Sequence, residues 1–162
     1  MKILGTLLLT AAVVASGCGK PEPKAVDAAQ ARSLLVNRNW LSKMPENRKD
    51  RFQVFRFIPE FNNSGVYQDR TIYAGGFELF AFEHTGEEIR FNLLHTSNRK
   101  TARYRIEELR PGEGPGSFDL KLSLDQSPRG GATYYGWKNE GHDKKLATAE
   151  ALDQSLSSRI KE

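Results

Sequence analysis

Phe118-Asp119-Leu120-Lys121-Leu122-Ser123-Leu124-Asp125 decides the class of fold. Every even position carries a large apolar side chain and every odd position a polar or charged one. Successive side chains of a strand point to opposite faces, so the stretch reads as an antiparallel strand with one buried face. Helical spacing would scatter its leucines around the whole circumference. Two upstream segments repeat the pattern. Ile89, Phe91, Leu93 and His95 share one face, against Arg90, Asn92, Leu94 and Thr96. Ala102, Tyr104 and Ile106 oppose Arg103, Arg105 and Glu107, and Ser97-Asn98 reads as the tight turn between the two segments.

Outward from this centre the signal stays β. Residues 52–58, Phe-Gln-Val-Phe-Arg-Phe-Ile, form a strand with bulk on both faces. Gly65 to Tyr73 is a more polar strand, Gly75-Gly76 a turn, Phe77 to Phe82 another strand aromatic on both faces, and Thr85-Gly86 its break. Trp40 marks a short first strand, and Thr133 to Lys138 a last one carrying Tyr134, Tyr135 and Trp137. The stretches Arg110 to Gly116 and Ser127 to Gly131, rich in Gly and Pro, are loops. Asp27 is placed to cap a helix running through Leu34, Leu35 and Val36. Asp143 is placed to cap a last helix whose stripe of Leu146, Ala149, Leu156 and Ile160 docks on the sheet.

About eight short strands with hairpin-length links predict a mainly β, antiparallel, up-and-down chain. Closure into a barrel removes exposed edges. A β-sandwich of two sheets would give the same alternation and is the alternative. A leading helical turn, Trp40 on the first strand, a meander and a late helix together resemble the lipocalin-like, or calycin, architecture. That resemblance spans most of residues 35–160 and implies an eight-stranded barrel able to hold one small ligand. The family usually places Gly two residues before the first-strand Trp, where this chain has Arg38. It often packs an Arg near the end of the last strand on that Trp, and Lys138 stands near that place.

The one cysteine carries a different signal. Lys2, an apolar run from Ile3 to Ala15, and then Ser16-Gly17-Cys18 make a basic start, a core shorter than the roughly 20 residues of a membrane span, and a small-residue end. The run Ala15-Ser16-Gly17-Cys18 resembles the lipobox of bacterial lipoproteins, with Ala15 where the family prefers Leu. The resemblance implies cleavage before Cys18 and lipidation of its thiol. The domain boundaries that follow are a signal peptide at 1–17, a lipidated tether at 18–24 containing Pro21 and Pro23, and a single β-rich domain at 25–162. Gly19, rather than Asp, follows the cysteine. Under the family's sorting rule this points to the outer membrane facing the periplasm.

Composition narrows the function classes. Loss of Lys2 from 24 basic side chains leaves 23 against 20 acidic ones, a net +3 spread along the chain. For an exported protein this argues against a nucleic-acid partner. Arg48, Lys49 and Arg51 form one small basic cluster, and Arg99, Lys100, Arg103 and Arg105 another. Both read as solvated faces that anionic lipid headgroups would attract. A lone lipidated cysteine supplies no disulfide, so the core alone stabilises the fold.

The inward faces supply candidate ligand-binding residues: Phe91, Leu93, His95, Tyr104, Ile106, Phe118, Leu120 and Leu122, with Arg56 as a charged partner for an anionic headgroup. An aliphatic and aromatic wall with few polar groups suits a lipid-like guest, and the same residues suffice simply to fill a core. No nucleophile elbow, phosphate loop or metal signature is present. His84, His95 and His142 share no ligand spacing. The expectation is therefore a non-enzymatic protein without cofactor or metal. Its first reading is a membrane-anchored envelope module binding a hydrophobic or amphiphilic small molecule. The alternative is a structural adaptor docking to an envelope assembly through Tyr134, Tyr135 and Trp137, because aromatic residues anchor interfaces.

Overall fold

A computed structural model of the chain describes residues 23–138. Its elements in order are β1 (Lys24–Ala25), α1 (Ala28–Leu35), β2 (Asn39–Leu41), β3 (Phe52–Ile58), β4 (Ser64–Arg70), β5 (Gly75–His84), β6 (Glu88–Leu93), β7 (Asn98–Glu108), β8 (Leu120–Leu124) and β9 (Thr133–Gly136). Each strand from β2 to β9 pairs antiparallel with the next, and β9 pairs back onto β2 with Leu41 opposite Tyr135. The ring is closed, so the fold is an up-and-down barrel of eight strands and the sandwich alternative is excluded. β1 adds a ninth strand on the end of β7, with Lys24 opposite Glu108. The segment expected as a C-terminal helix, Cys18 and the first part of the tether lie outside the described residues.

Helix α1 seals one end of the barrel. Asp27 caps it, its Oδ1 accepting from the Gln30 amide at 2.8 Å. Ala31 and Leu35 turn inward and are buried. Trp40 Nε1 donates to the Leu35 carbonyl at 2.9 Å, tying the helix to the first barrel strand. The β5–β6 turn lies so close to the helix that a Cβ on Gly86 would run into Ala28. Across the seam between first and last strands, buried Arg38 donates from Nη1 to the Trp137 carbonyl at 2.7 Å. Lys138, expected near Trp40, instead pairs with Glu108 at 2.8 Å. The bridge between the two ends of the meander therefore comes from Arg38, two residues before Trp40.

Two apolar clusters form. The inner one fills the barrel with Trp40, Phe55, Phe57, Tyr67, Phe80, Phe82, Ile89, Phe91, Leu93, Tyr104, Ile106, Tyr134 and the three leucines of β8. The outer one gathers Leu41, Phe52, Val54, Ile72, Phe118 and Trp137 against the outside of the wall. This explains the bulk on both faces of residues 52–58: Phe55 and Phe57 point into the barrel, while Phe52 and Val54 point out under a second apolar layer.

Candidate functional site

The barrel interior is the first place to look for a ligand, and aromatic rings occupy it. Phe55 lies 4.9 Å from Tyr67, 5.1 Å from Tyr134, 5.8 Å from Phe80, and 6.0 Å from both Phe57 and Phe91, centroid to centroid. Phe57 continues the stack to Phe80 at 5.5 Å and Phe82 at 5.2 Å. These are the spacings of rings in direct contact. Among the expected lining residues, Phe91, Leu93, Tyr104, Ile106, Leu120 and Leu122 do face inward and are buried in this packing.

The others lie elsewhere. His95 is exposed in the four-residue turn between β6 and β7, where Ser97 adopts φ 54° and the inward face has already ended at Leu93. Phe118 precedes β8 and stacks in the outer cluster, 4.4 Å from Trp137 and 5.7 Å from Tyr135. Arg56 stands on the outer face opposite Asn39, whose Oδ1 accepts from its Nη1 at 3.3 Å, so it meets no guest inside the barrel. The three aromatic residues expected to form an interface do not form an exposed patch. Tyr134 is fully buried in the barrel, Trp137 is buried in the outer cluster, and Tyr135 is half-buried against Phe118.

The end opposite α1 is the barrel mouth, and it is closed by polar chemistry. The β8–β9 loop folds over it, with Arg129 pairing to Glu78 on the inward side of β5. Glu78 is largely buried and its Oε1 accepts no hydrogen bond. Beneath the loop, the Tyr134 hydroxyl donates to Gln53 Oε1 at 3.2 Å and lies 3.4 Å from Ser127 Oγ. Burial pushes the Tyr67 hydroxyl up to about 12, with Tyr134 and Asp69 adding to the shift. The Tyr104 hydroxyl, deeper in the barrel, is likewise pushed up to about 12 by burial and donates to the Thr85 carbonyl at 2.6 Å. Both phenols are therefore neutral hydrogen-bonding groups at ordinary pH.

A contiguous patch of exposed apolar surface lies outside, at the same far end. Val66, Leu79 and Leu94 form one row across β4, β5 and the start of the β6–β7 turn: Val66 is opposite Leu79, and the Leu94 amide donates to the Leu79 carbonyl at 3.3 Å. Phe77, two residues before Leu79, shares their outward face, and Tyr73 sits in the preceding turn. Exposure is 73% for Phe77, 61% for Tyr73, 52% for Leu94 and 45% for Leu79. Backbone geometry sets this patch apart from scattered surface leucines. β5 pairs with β4 from Gly75 onward but with β6 only from Phe80 onward. Residues 75–78 therefore present a strand edge that no described strand covers, beside the exposed ring of Phe77. Nothing in the local sequence distinguished this face from a buried one. The cue was the aromatic bulk on both faces of residues 77–82, of which the barrel uses only one.

At the helix end, His84 stacks on Phe82 at 5.6 Å and its Nδ1 is buried without a hydrogen-bond partner. Burial holds its imidazole below the ordinary value of 6.5. A backbone hydrogen bond at Thr85 opposes that shift and the Arg32 charge adds to it. The unfolded chain therefore takes up this proton first as pH falls. The contribution to stability is complete above 6.5 and declines as pH drops from there toward the folded value. Urea midpoints measured from about pH 7.5 down to about pH 5.5 should fall more steeply for the native chain than for His84→Gln. Among the described residues, no group of three or more His, Cys, Asp and Glu side chains converges as a metal site.

Comparison with protein-family models, with curated proteins and with solved structures finds no match for the chain.

Proposed function

We propose that this chain is a lipid-anchored lipoprotein of the bacterial envelope, held at the outer membrane and facing the periplasm. Its lipocalin-like barrel acts as a non-enzymatic docking module for another envelope protein. The observation that carries this reading is the uncovered edge of β5 at residues 75–78, flanked by exposed Phe77, Leu79 and Leu94. An open strand edge offers main-chain hydrogen bonds in register, and outward apolar side chains beside it supply the pockets that select a partner. The occupant is accordingly an extended segment of a protein that adds as a strand.

Position along the anchor argues for protein rather than lipid at this patch. β1, the described start of the chain, pairs at Glu108 at one end of β7, while the apolar patch lies beside Asn98 at the other. The ten steps of β7 between them span roughly 33 Å at about 3.3 Å per residue. The five residue steps from Cys18 to Pro23 reach at most about 18 Å. A short tether thus holds the α1 end toward the membrane, where exposed Phe61 of the β3–β4 turn also lies, and presents the patch to the periplasm.

A second reading, a carrier for a small amphiphile, is favoured by one observation: the mouth is closed by the Arg129–Glu78 ion pair and a loop instead of packed apolar side chains. Two measurements separate the readings. Native mass spectrometry of protein purified from its host should find no retained guest if docking is the role. The double variant Phe77→Asp/Leu79→Asp should fold normally yet lose its partner in intact-cell crosslinking. A retained lipid-like guest, with crosslinking unchanged in the variant, would favour the carrier.

A further inference from the structure

A second surface of the barrel has the form of a ligand site. It is a groove of about 580 Å³ on the outside of β5, β6 and β7, walled at one end by Asn62 and Asn63 of the β3–β4 turn. Its depth comes from the small side chain of Ala81. Ser64, Ala81, Asn92 and Arg99 lie in one row across four strands, and the methyl of Ala81 leaves a hollow between its bulkier neighbours Leu79 and Glu83. Asn62 and Asn63 both adopt left-handed backbone, φ 52° and 48°, a conformation that Asn tolerates better than most side chains. The turn is anchored by the Phe82 amide donating to the Asn63 carbonyl at 2.8 Å.

The groove's chemistry is specific. On its outer floor Arg90 lies opposite Thr101 and Asn92 opposite Arg99. Residues Arg90 and Arg99 thus occupy one diagonal of a four-residue square on the strands, at the roughly 7–8 Å spacing of diagonal neighbours, and the neutral hydrogen-bonding residues Asn92 and Thr101 occupy the other. Lys100 adds a third cation to the lining. The one carboxylate, Glu83, pairs with Arg90 at 3.6 Å between two well-exposed side chains. Among the described residues no acidic side chain pairs with Arg99 or Lys100. Two guanidiniums on long side chains rooted at opposite corners suit a phosphate, whose oxygens accept from both forks at once. The side-chain amides of Asn62, Asn63 and Asn92 and the Thr101 hydroxyl suit hydroxyl groups beside that phosphate. The volume falls within the range of small-molecule sites, roughly 300–1,000 Å³, and the lining joins these polar groups to apolar surface from Ala81, Phe82 and Phe91.

We infer that this groove binds a phosphate-bearing polyol headgroup, with Arg90 and Arg99 gripping the phosphate and the asparagine amides reading the hydroxyls. The chemistry is shared by a free sugar or glycerol phosphate and by the headgroup of an anionic phospholipid.

The test uses the full chain, isotopically labelled in detergent micelles. It is titrated in parallel with inorganic phosphate, glycerol 3-phosphate and the short-chain lipid dihexanoyl phosphatidylglycerol, and followed by amide chemical shifts. Saturable shifts at Asn63, Asn92, Arg99 and Thr101 are expected, stronger for glycerol 3-phosphate than for inorganic phosphate. Arg90→Gln/Arg99→Gln should weaken binding at least tenfold. Lys49→Gln/Arg110→Gln, which removes the same charge elsewhere on the surface, should leave it unchanged. Tighter binding of the short-chain lipid than of glycerol 3-phosphate would identify a lipid headgroup, and the reverse a soluble phosphate. The proposal is overturned by no saturable shifts at millimolar ligand, by shifts centred outside the groove, or by equal weakening in both double variants.

Discussion

Phe55→Ala should cost the domain about 3–5 kcal/mol, a large fraction of the roughly 5–15 kcal/mol that holds such a domain folded. Phe55 is fully buried and touches five other rings, so removing its phenyl deletes the centre of the packing and not one of its margins. The surrounding side chains come from β3, β4, β5, β6 and β9 of a closed barrel, which limits how far they can collapse into the gap. Urea unfolding of the variant should show a large fall in midpoint, or no folded baseline at all. Phe77→Ala is the natural comparison: the same atoms leave a ring that is 73% exposed, and the cost should stay within about 0.5 kcal/mol. A small effect at Phe55 would mean that the barrel interior is loose enough to accept a guest.

Replacing Cys18 with Ser should release the protein from the membrane without unfolding it. Each buried methylene of an acyl chain contributes about 0.8 kcal/mol, and one chain alone gives only marginal, reversible binding. A diacylglycerol and an N-acyl group together make retention effectively complete, and Ser carries neither. Cell fractionation should move the variant from the membrane pellet to the soluble fraction, while its urea midpoint stays that of the native domain. Continued membrane retention after signal cleavage would remove the lipobox reading, and with it the orientation that places the α1 end against the bilayer.

The fold was legible because alternation is a local signal. Leu120, Leu122 and Leu124, or Ala102, Tyr104 and Ile106, announce one buried face regardless of what covers it, and hairpin-length links then leave few ways to close the chain. The same signal fails where a strand stops. Phe118 and His95 continue the alternation on paper, but the β8 ladder begins at Leu120 and the β6 ladder ends at Leu93. Past those points parity no longer fixes direction, and Phe118 turns outward while His95 enters a turn. Alternation also cannot say which of two apolar faces is inside. Residues 52–58 cover both, one in the barrel and one beneath Trp137, whereas residues 77–82 cover one and leave Phe77 and Leu79 in solvent. The candidate docking edge was illegible for a related reason, and of the basic groove only Arg99 and Lys100 stood out, as part of a basic cluster. Edge and groove both depend on stagger between strands, which sets Gly75 to Glu78 beyond the end of β6 and lines up Ser64, Ala81, Asn92 and Arg99 across four strands. Register of that kind comes from long-range pairing, and no single segment encodes it.

Docking through the far end of the barrel is tested most directly by a photoreactive phenylalanine analogue placed at position 77, and separately at position 61, in the lipidated protein in intact cells. The docking account predicts a discrete protein adduct from position 77, abolished when Leu79 and Leu94 are changed to Asp, and lipid adducts or none from position 61. Lipid adducts from position 77, or a protein adduct that survives those two substitutions, would contradict it.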